Sequence, residues 1–444
     1  MSTILVILLA AVVALDHGAS KQARALHMDA STSRAMRAQR KMRTDLRARW
    51  RAAVAVLVAF SSVVVAGLAA GAGAGASTAP AERDKHIDTM EKLGEALFFD
   101  TALSKNRTQA CATCHSPDFA FTDPRESGTA GRAVSMGDDG RSIGDRNAPS
   151  AAYASLTPRF HIDTKGKAIG GLFWDGRAAT LADQAMGPPL NPIEMGIPDK
   201  RTAVERLKEN KAYIAAFESL FGKDTLGNDD KAYAAMGQAI AAFERTPQFS
   251  PFDSRYDRYL RGEAKLSDQE ELGRVLFFSS QFTNCSRCHK LKEFGGAQGE
   301  TFTNYEYRNI GTPVNAAVRA LNGSNPSYVD TGLAQNPAAE LPANAGLFKV
   351  PTLRNVAVTG PYMRNGVFKD LRTVVKFYNK YNSKNPKHQI NPETGQPWGP
   401  PEVPDTLSKE DLESGSALDS KRIDALVAFL GTLTDRRYEH LLEK

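Results

Sequence analysis

The four cysteines of this 444-residue chain fall in two copies of one pattern, Cys111-Ala-Thr-Cys114-His115 and Cys285-Ser-Arg-Cys288-His289. Cys-x-x-Cys-His is the spacing of c-type haem attachment. Two thioethers hold the porphyrin edge, and the adjacent imidazole reaches the iron as proximal ligand. A thioredoxin-like redox pair or a structural disulfide has no need of the neighbouring histidine. A single zinc site would have to unite motifs from opposite halves of the chain. Two covalent haem c groups are therefore expected, bound through Cys111, Cys114, Cys285 and Cys288, with His115 and His289 on the irons.

What such a chain does turns on the sixth position of each iron. A carrier fills both with strong protein ligands, whereas an enzyme leaves one open. Beyond the proximal pair, residues 81–444 contain only His86, His161, His388 and His440, and Met363 is the sole methionine after Met236. A methionine on the second haem would have to be Met363. Tyr378 is the other oxygen-donor candidate, although a tyrosine on an amphipathic helix is more often core packing. Between the haem motifs, Leu172-Phe-Trp174-Asp-Gly-Arg177 is followed by Gln184, Pro188-Pro189 and Asn191-Pro-Ile-Glu194-Met. A carboxylate beside an open iron can shuttle the proton between peroxide oxygens while an amide orients them. Taken alone, Glu194 reads more readily as a helix-capping or surface residue.

The elements that must hold these groups repeat. Leu93-Gly-Glu-Ala-Leu-Phe-Phe99 precedes the first motif and Leu272-Gly-Arg-Val-Leu-Phe-Phe278 the second, each with its apolar residues on one helical face. Helical periodicity is clear over 202–221, 231–245, 267–278, 371–381 and 420–433, and alternating strands are scarce. Long Gly-, Pro- and Asn-rich loops are expected over 122–149, 322–347 and 382–404. The class is mainly α: two tandem cytochrome c-like domains, 81–265 and 266–444, each with one covalent haem c.

Charge locates the remaining segment. The chain carries 56 Lys+Arg against 50 Asp+Glu. Residues 1–80 hold ten of the bases and three of the acids, leaving 46 against 47 for 81–444. An Arg-rich run, an apolar stretch over 52–71 and a small-residue tail predict a secretory leader cleaved near 76–81 and a periplasmic protein; a retained membrane anchor is the less favoured alternative. A near-neutral mature chain excludes nucleic acid as partner.

The haem motifs, Trp174-Asp-Gly-Arg177, Asn191-Pro-Ile-Glu194-Met and Val350-Pro-Thr-Leu-Arg-Asn-Val356 leading into Pro361-Tyr-Met resemble the bacterial di-haem cytochrome c peroxidase and MauG superfamily over about 88–435. The resemblance implies that Trp174 lies between the haems and couples them. Gln184, Pro188 and Glu194 form the distal pocket of the first haem, which reverses the surface reading of Glu194. Asn147 would bind an inter-haem calcium ion with the carbonyls of Thr359 and Pro361. Classical members place a methionine on the second haem fourteen residues after a histidine in Pro-Tyr-x-His. Here the element reads Pro361-Tyr-Met-Arg364, and Tyr378 stands at the ligand position, as in the MauG-like branch. Residues 116–160 contain no histidine, so the loop that blocks the first iron in classical peroxidases lacks its ligand. Two departures stand out: Arg364 for the usual histidine, and Phe282-Thr-Asn where a MauG-like surface tryptophan precedes the second motif.

The resemblance implies an enzyme that uses hydrogen peroxide to oxidise, at long range and through a bis-ferryl-type state, a Trp or Tyr on a partner protein; an MbnH-type substrate is as compatible as a MauG-type one. The alternatives are a cytochrome c peroxidase fed by small cytochrome or copper donors, and a non-catalytic di-haem electron carrier.

Overall fold

Two helix crossings of the same design organise the computed structural model, which describes residues 87–292 and 297–442. The expected leader and its cleavage site lie outside the described residues. In the first crossing, Thr89 caps Met90–Phe98 by accepting from Lys92 N at 3.3 Å, and Leu93, Leu97 and Phe98 are buried against Asp229–Glu244. In the second, Ser267 and Glu270 form a capping box that starts Asp268–Phe278, whose Leu276 and Phe277 pack on Ser420–Gly431. The repeated glycine explains why the repeat begins Leu-Gly. A Cβ on Gly94 would lie 1.9 Å from Ala239 O, and one on Gly273 would lie 1.9 Å from Ala425 O.

That contact makes a prediction of unusual sign. Gly→Ala inside a helix ordinarily stabilises by about 1 kcal/mol. Here the obstacle is a backbone carbonyl that no rotamer change can move, so Gly273→Ala is expected to destabilise by about 3 kcal/mol, the upper end for overpacking. Thermal unfolding of the holoprotein checks it, and a raised Tm would contradict the crossing.

Around these crossings lie two hydrophobic cores, one built on residues such as Leu97, Phe98, Phe217, Met236 and Ile240, the other on Tyr256, Phe277, Phe302, Leu426 and Phe429. Both belong to one unit, Lys85–Lys444. A buried polar network ties the cores through Tyr153 of the first, over whose ring the Arg354 guanidinium lies at 5.3 Å. Arg354 pairs with Asp257 at 2.5 and 3.0 Å, and Tyr153 donates its hydroxyl to Asp435 at 2.6 Å while Asn355 Nδ2 reaches the other oxygen at 2.8 Å.

The described residues are mainly helical. The expected helix over 202–221 is two, Lys200–Lys208 and Lys211–Phe221. Asn210 is extended, and its side chain accepts from Ala212 N at 2.9 Å. Asparagine at that point caps a new helix more favourably than it continues the old one. The helix expected over 371–381 ends at Asn379. The three long loops carry only isolated 3₁₀ turns, such as Gly128–Ala130 and Leu333–Gln335.

Among the described residues, two antiparallel ribbons form, His161–Ile162 with Ala168–Ile169 and Tyr307–Arg308 with Phe348–Lys349, besides isolated bridges. An Ile169–Glu306 bridge joins them. The second ribbon reaches back to the first half of the sequence, where Lys349 N donates to Trp174 O at 2.9 Å. Among the described residues no helix is long and apolar enough to cross a membrane.

Candidate functional site

Each Cys-x-x-Cys-His motif forms one helical turn ending at its histidine. All four thiols are unpaired, as attachment requires. His115 Nδ1 lies 3.2 Å from Phe121 O, and His289 Nδ1 lies 3.0 Å from Phe302 O. A carbonyl partner fixes the proton on Nδ1 and leaves Nε2 with its lone pair free for a metal.

The first motif opens on a cavity of about 190 Å³ lined by Cys111, Cys114, His115, Gln184, Pro188 and Glu194, among others. Local structure explains how the last three arrive there. Thr180 and Asp183 form a capping box that starts Leu181–Ala185, which carries Gln184. Pro188 sits in the next turn, Gly187–Leu190. Glu194 follows in a tight loop whose backbone is braced from outside, with Asp138 N donating to Glu194 O and Lys105 N to Met195 O, both at 2.7 Å. Burial raises the Glu194 carboxyl above the usual carboxylate range, and Arg177 and Asn191 pull it part of the way back. The Arg177 guanidinium is itself fixed, 3.7 Å over the Phe173 ring and 2.8 Å from Asp175.

The second motif opens on a mostly apolar cavity of about 220 Å³. Its walls include Cys285, Cys288, His289, Tyr378, Met363, Arg364 and Lys349. Tyr378 comes from the last turn of Leu371–Asn379. Met363 lies in the same wall with φ of 70°, so the wall offers a phenol and a thioether. Among the described residues no histidine other than His115 and His289 lines either cavity.

Trp174 belongs to both walls. Its indole N–H donates to Asn147 O at 2.9 Å, and its carbonyl takes Lys349 N. The wall it shares is stiffened by a web of charge. Arg146, from the first cavity, pairs with Asp175 at 2.6 Å and Asp330 at 2.7 Å. Arg364, from the second, lies 3.5 Å from Asp330 and pairs closely with Glu402. Phe348 receives both guanidinium groups on its ring, Arg146 at 5.5 Å and Arg364 at 4.2 Å. The arginine that departs from the family's histidine is thus a buried structural cation between two carboxylates, Asp330 shared with Arg146 and Glu402 shared with Arg319.

Asn147 adjoins this web. Its N–H donates to Arg364 O at 2.6 Å and its Nδ2 to Ala133 O at 3.0 Å. Among the described residues its Oδ1 accepts no hydrogen bond. Thr359 ends the Val356–Val358 turn, and Pro361 follows a cis bond to Gly360. Three neutral oxygens are donors suited to a hard cation. Among the described residues no cluster of His, Cys, Asp or Glu could hold a metal on its own.

One residue of the first cavity was not anticipated. Glu244, at the end of Asp229–Glu244, lines that wall and is buried, with its carboxyl pushed up to about 8 by desolvation. Its position continues the Tyr233, Gly237, Ile240 stripe, so a charged residue in an apolar register was the available signal.

Comparison with known proteins gives a consistent result. Residues 88–265 match the family model described as di-haem cytochrome c peroxidase. The chain is 56% identical over 357 residues to methylamine utilization protein MauG of Paracoccus denitrificans, covering 80% of this chain and 91% of that protein. It is 31% identical over 315 residues to cytochrome c peroxidase Ccp of Escherichia coli, covering 68% and 58%. Among solved structures, the diheme peroxidase BthA of Burkholderia thailandensis is similar with a TM-score of 0.69 at 33% identity, covering 79% of this chain and 86% of that one. A MauG-like protein associated with microbial copper homeostasis is similar with a TM-score of 0.58 at 29% identity, covering 82% and 96%.

Proposed function

The chain belongs to the di-haem cytochrome c peroxidase family and is a peroxidase-type oxidoreductase with two haem c groups, and from that premise we propose that it uses hydrogen peroxide to oxidise an aromatic side chain, tryptophan first, on a partner protein. The residues fit the two groups: each cavity offers two free thiols and an imidazole with Nε2 available. We assign one haem to residues 81–265 and the other to 266–444. When bound, the haems supply one-electron redox chemistry and a coordination site for peroxide.

The protein's own groups do the rest. The Glu194 carboxylate takes the proton from one peroxide oxygen and returns it to the other, which leaves as water. The Gln184 amide orients the peroxide, and Pro188 supplies a rigid apolar wall that keeps bulk water out. Trp174, common to both walls, carries electrons between the sites. Tyr378 would hold the second iron through its phenolic oxygen. The observation that carries the reading is Tyr378 in the second wall, because an anionic oxygen ligand favours higher oxidation states and lets that site store an oxidising equivalent.

Peroxide added to the fully ferric holoenzyme, with no reductant, tests this. Two oxidising equivalents per peroxide should appear, titratable with a one-electron donor. A requirement for prior half reduction would instead support the second reading, a peroxidase supplied by small cytochrome or copper donors, which Met363 in the same wall also favours. Two low-spin haems inert to peroxide would leave a simple electron carrier.

Asn147 Oδ1 with the carbonyls of Thr359 and Pro361 would hold a structural calcium ion beside the Trp174 wall. Asn147→Ala is expected to weaken calcium binding about tenfold or more. Calorimetric titration of the chelator-treated protein checks it, and unchanged affinity removes Asn147 from the site. The export signal in residues 1–80 supports periplasmic residence, where peroxide, haem c and a protein substrate would meet.

A further inference from the structure

Behind Tyr378, outside the lining of the second cavity, lies an aromatic cluster that none of the roles above uses. Phe377 neighbours Tyr378, with ring centroids 6.0 Å apart, and meets Trp398 edge-on at 5.4 Å. Trp398 is half-buried, and residues 392–397 leading to it are exposed. The chain has three tryptophans. Trp50 lies outside the described residues and Trp174 lines both cavities, so Trp398 is the one joined to Tyr378 through the Phe377 ring.

We propose that Trp398 is the outlet of the second site: it passes one electron inward and regains one from a side chain or donor outside. This rests on the reading of that site as a store of oxidising equivalents. An indole can lose an electron and keep its proton, and the Trp398 N–H already donates to His388 O at 2.9 Å, a dipole that supports the positive charge. Tyr381, beside it, is less suited. A phenol must release its proton on oxidation, and its hydroxyl faces only the Ile310 carbonyl at 3.0 Å, which cannot retain one. Lys380 sharpens the difference. Its ammonium lies 4.0 Å from the Phe377 ring, 4.7 Å from Tyr381 and 5.9 Å from Trp398. A cation over a ring stabilises the neutral ring and opposes its oxidation, so positive charge is driven to Trp398, the ring farthest from the ammonium.

The electrons balance. Two passes through Trp398 deliver two electrons, which with two protons convert one hydrogen peroxide to two waters. With no donor outside, Trp398 itself is consumed: the indole gives two electrons to the enzyme and two protons to solvent, and takes the oxygen of a water to become hydroxytryptophan.

The test treats the ferric holoenzyme with hydrogen peroxide alone and follows both its spontaneous return to the ferric spectrum and the mass of the Trp398 peptide. Wild type should return with one oxygen gained on that peptide. Trp398→Phe should return about tenfold more slowly or worse, and Trp398→Tyr, a half-buried phenol beside the exposed residues 392–397 where water can take its proton, should recover most of the rate. Return of Trp398→Phe at the wild-type rate would overturn the proposal. So would equal slowing by Phe and Tyr, which would mark a packing role. If wild-type ferric enzyme does not react with peroxide at all, the failure lies in the functional reading beneath.

Discussion

Replacing Glu194 by glutamine is expected to slow the reaction of the ferric enzyme with peroxide by about a hundredfold to ten-thousandfold, the range for loss of a positioned acid–base group. The substitution conserves volume and hydrogen-bonding shape, so the ferric spectrum should be unchanged. The pH profile separates this from a general disturbance. The carboxylate must be unprotonated to accept the first proton, and burial raises its pKa above the ordinary value. The wild-type rate should therefore climb as pH rises through a point above the usual carboxylate range of about 4.3. The glutamine variant should lack that limb. Stability gives a second control. A carboxyl with a raised folded pKa makes the folded state bind more protons than the unfolded one, so it costs stability as pH rises through that interval. Glu194→Gln removes the cost and should not lower Tm at neutral pH. Retained peroxide reactivity in this variant would remove Glu194 from proton transfer.

Replacing Tyr378 by phenylalanine should change the second haem and spare the first. Axial ligand identity sets haem potentials over a range of about 0.8 V. Loss of an anionic oxygen donor is therefore expected to raise the second potential by on the order of 0.1 V or more. About 59 mV is a tenfold change for one electron, so the higher oxidation state should become at least tenfold less accessible and partner oxidation should fall with it. Met363→Leu supplies the contrast, because it removes the thioether in the same wall. If the methionine variant alone alters the second-haem spectrum, the phenol is not the ligand, and the donor-fed peroxidase becomes the better account. Spectroelectrochemical titration of both variants decides between them.

How much of this was legible before any coordinates depended on distance along the chain. Haem attachment needs five consecutive positions and was complete in the sequence. The repeated Leu-Gly opening could be read as a repeat, but its cause, a carbonyl from a helix far along the chain, could not. Gln184, Pro188 and Glu194 were located by resemblance, and their route to one wall depends on one short capped helix and the proline-containing turn after it. Arg364 shows the limit most plainly. Its replacement of the usual histidine is visible in the sequence only as a departure, because its partners Asp330 and Glu402 come from loops with no periodicity to reveal them. Glu244 escaped because an acidic residue at a helix end ordinarily faces water. Pairings between loops are set by shape and charge in three dimensions, and no local pattern encodes them.

The buried pairs that tie the cores carry one more consequence. Arg354 with Asp257, and Tyr153 with Asp435 and Asn355, fix how far apart the two cavities stand. Electron tunnelling decays exponentially with separation, so a joint that breathed by even a fraction of an ångström would make the transfer time fluctuate from one molecule to the next. Locking the joint in the dry interior turns that separation into a constant of the fold. Loosening it should broaden the distribution of transfer times before it lowers their mean.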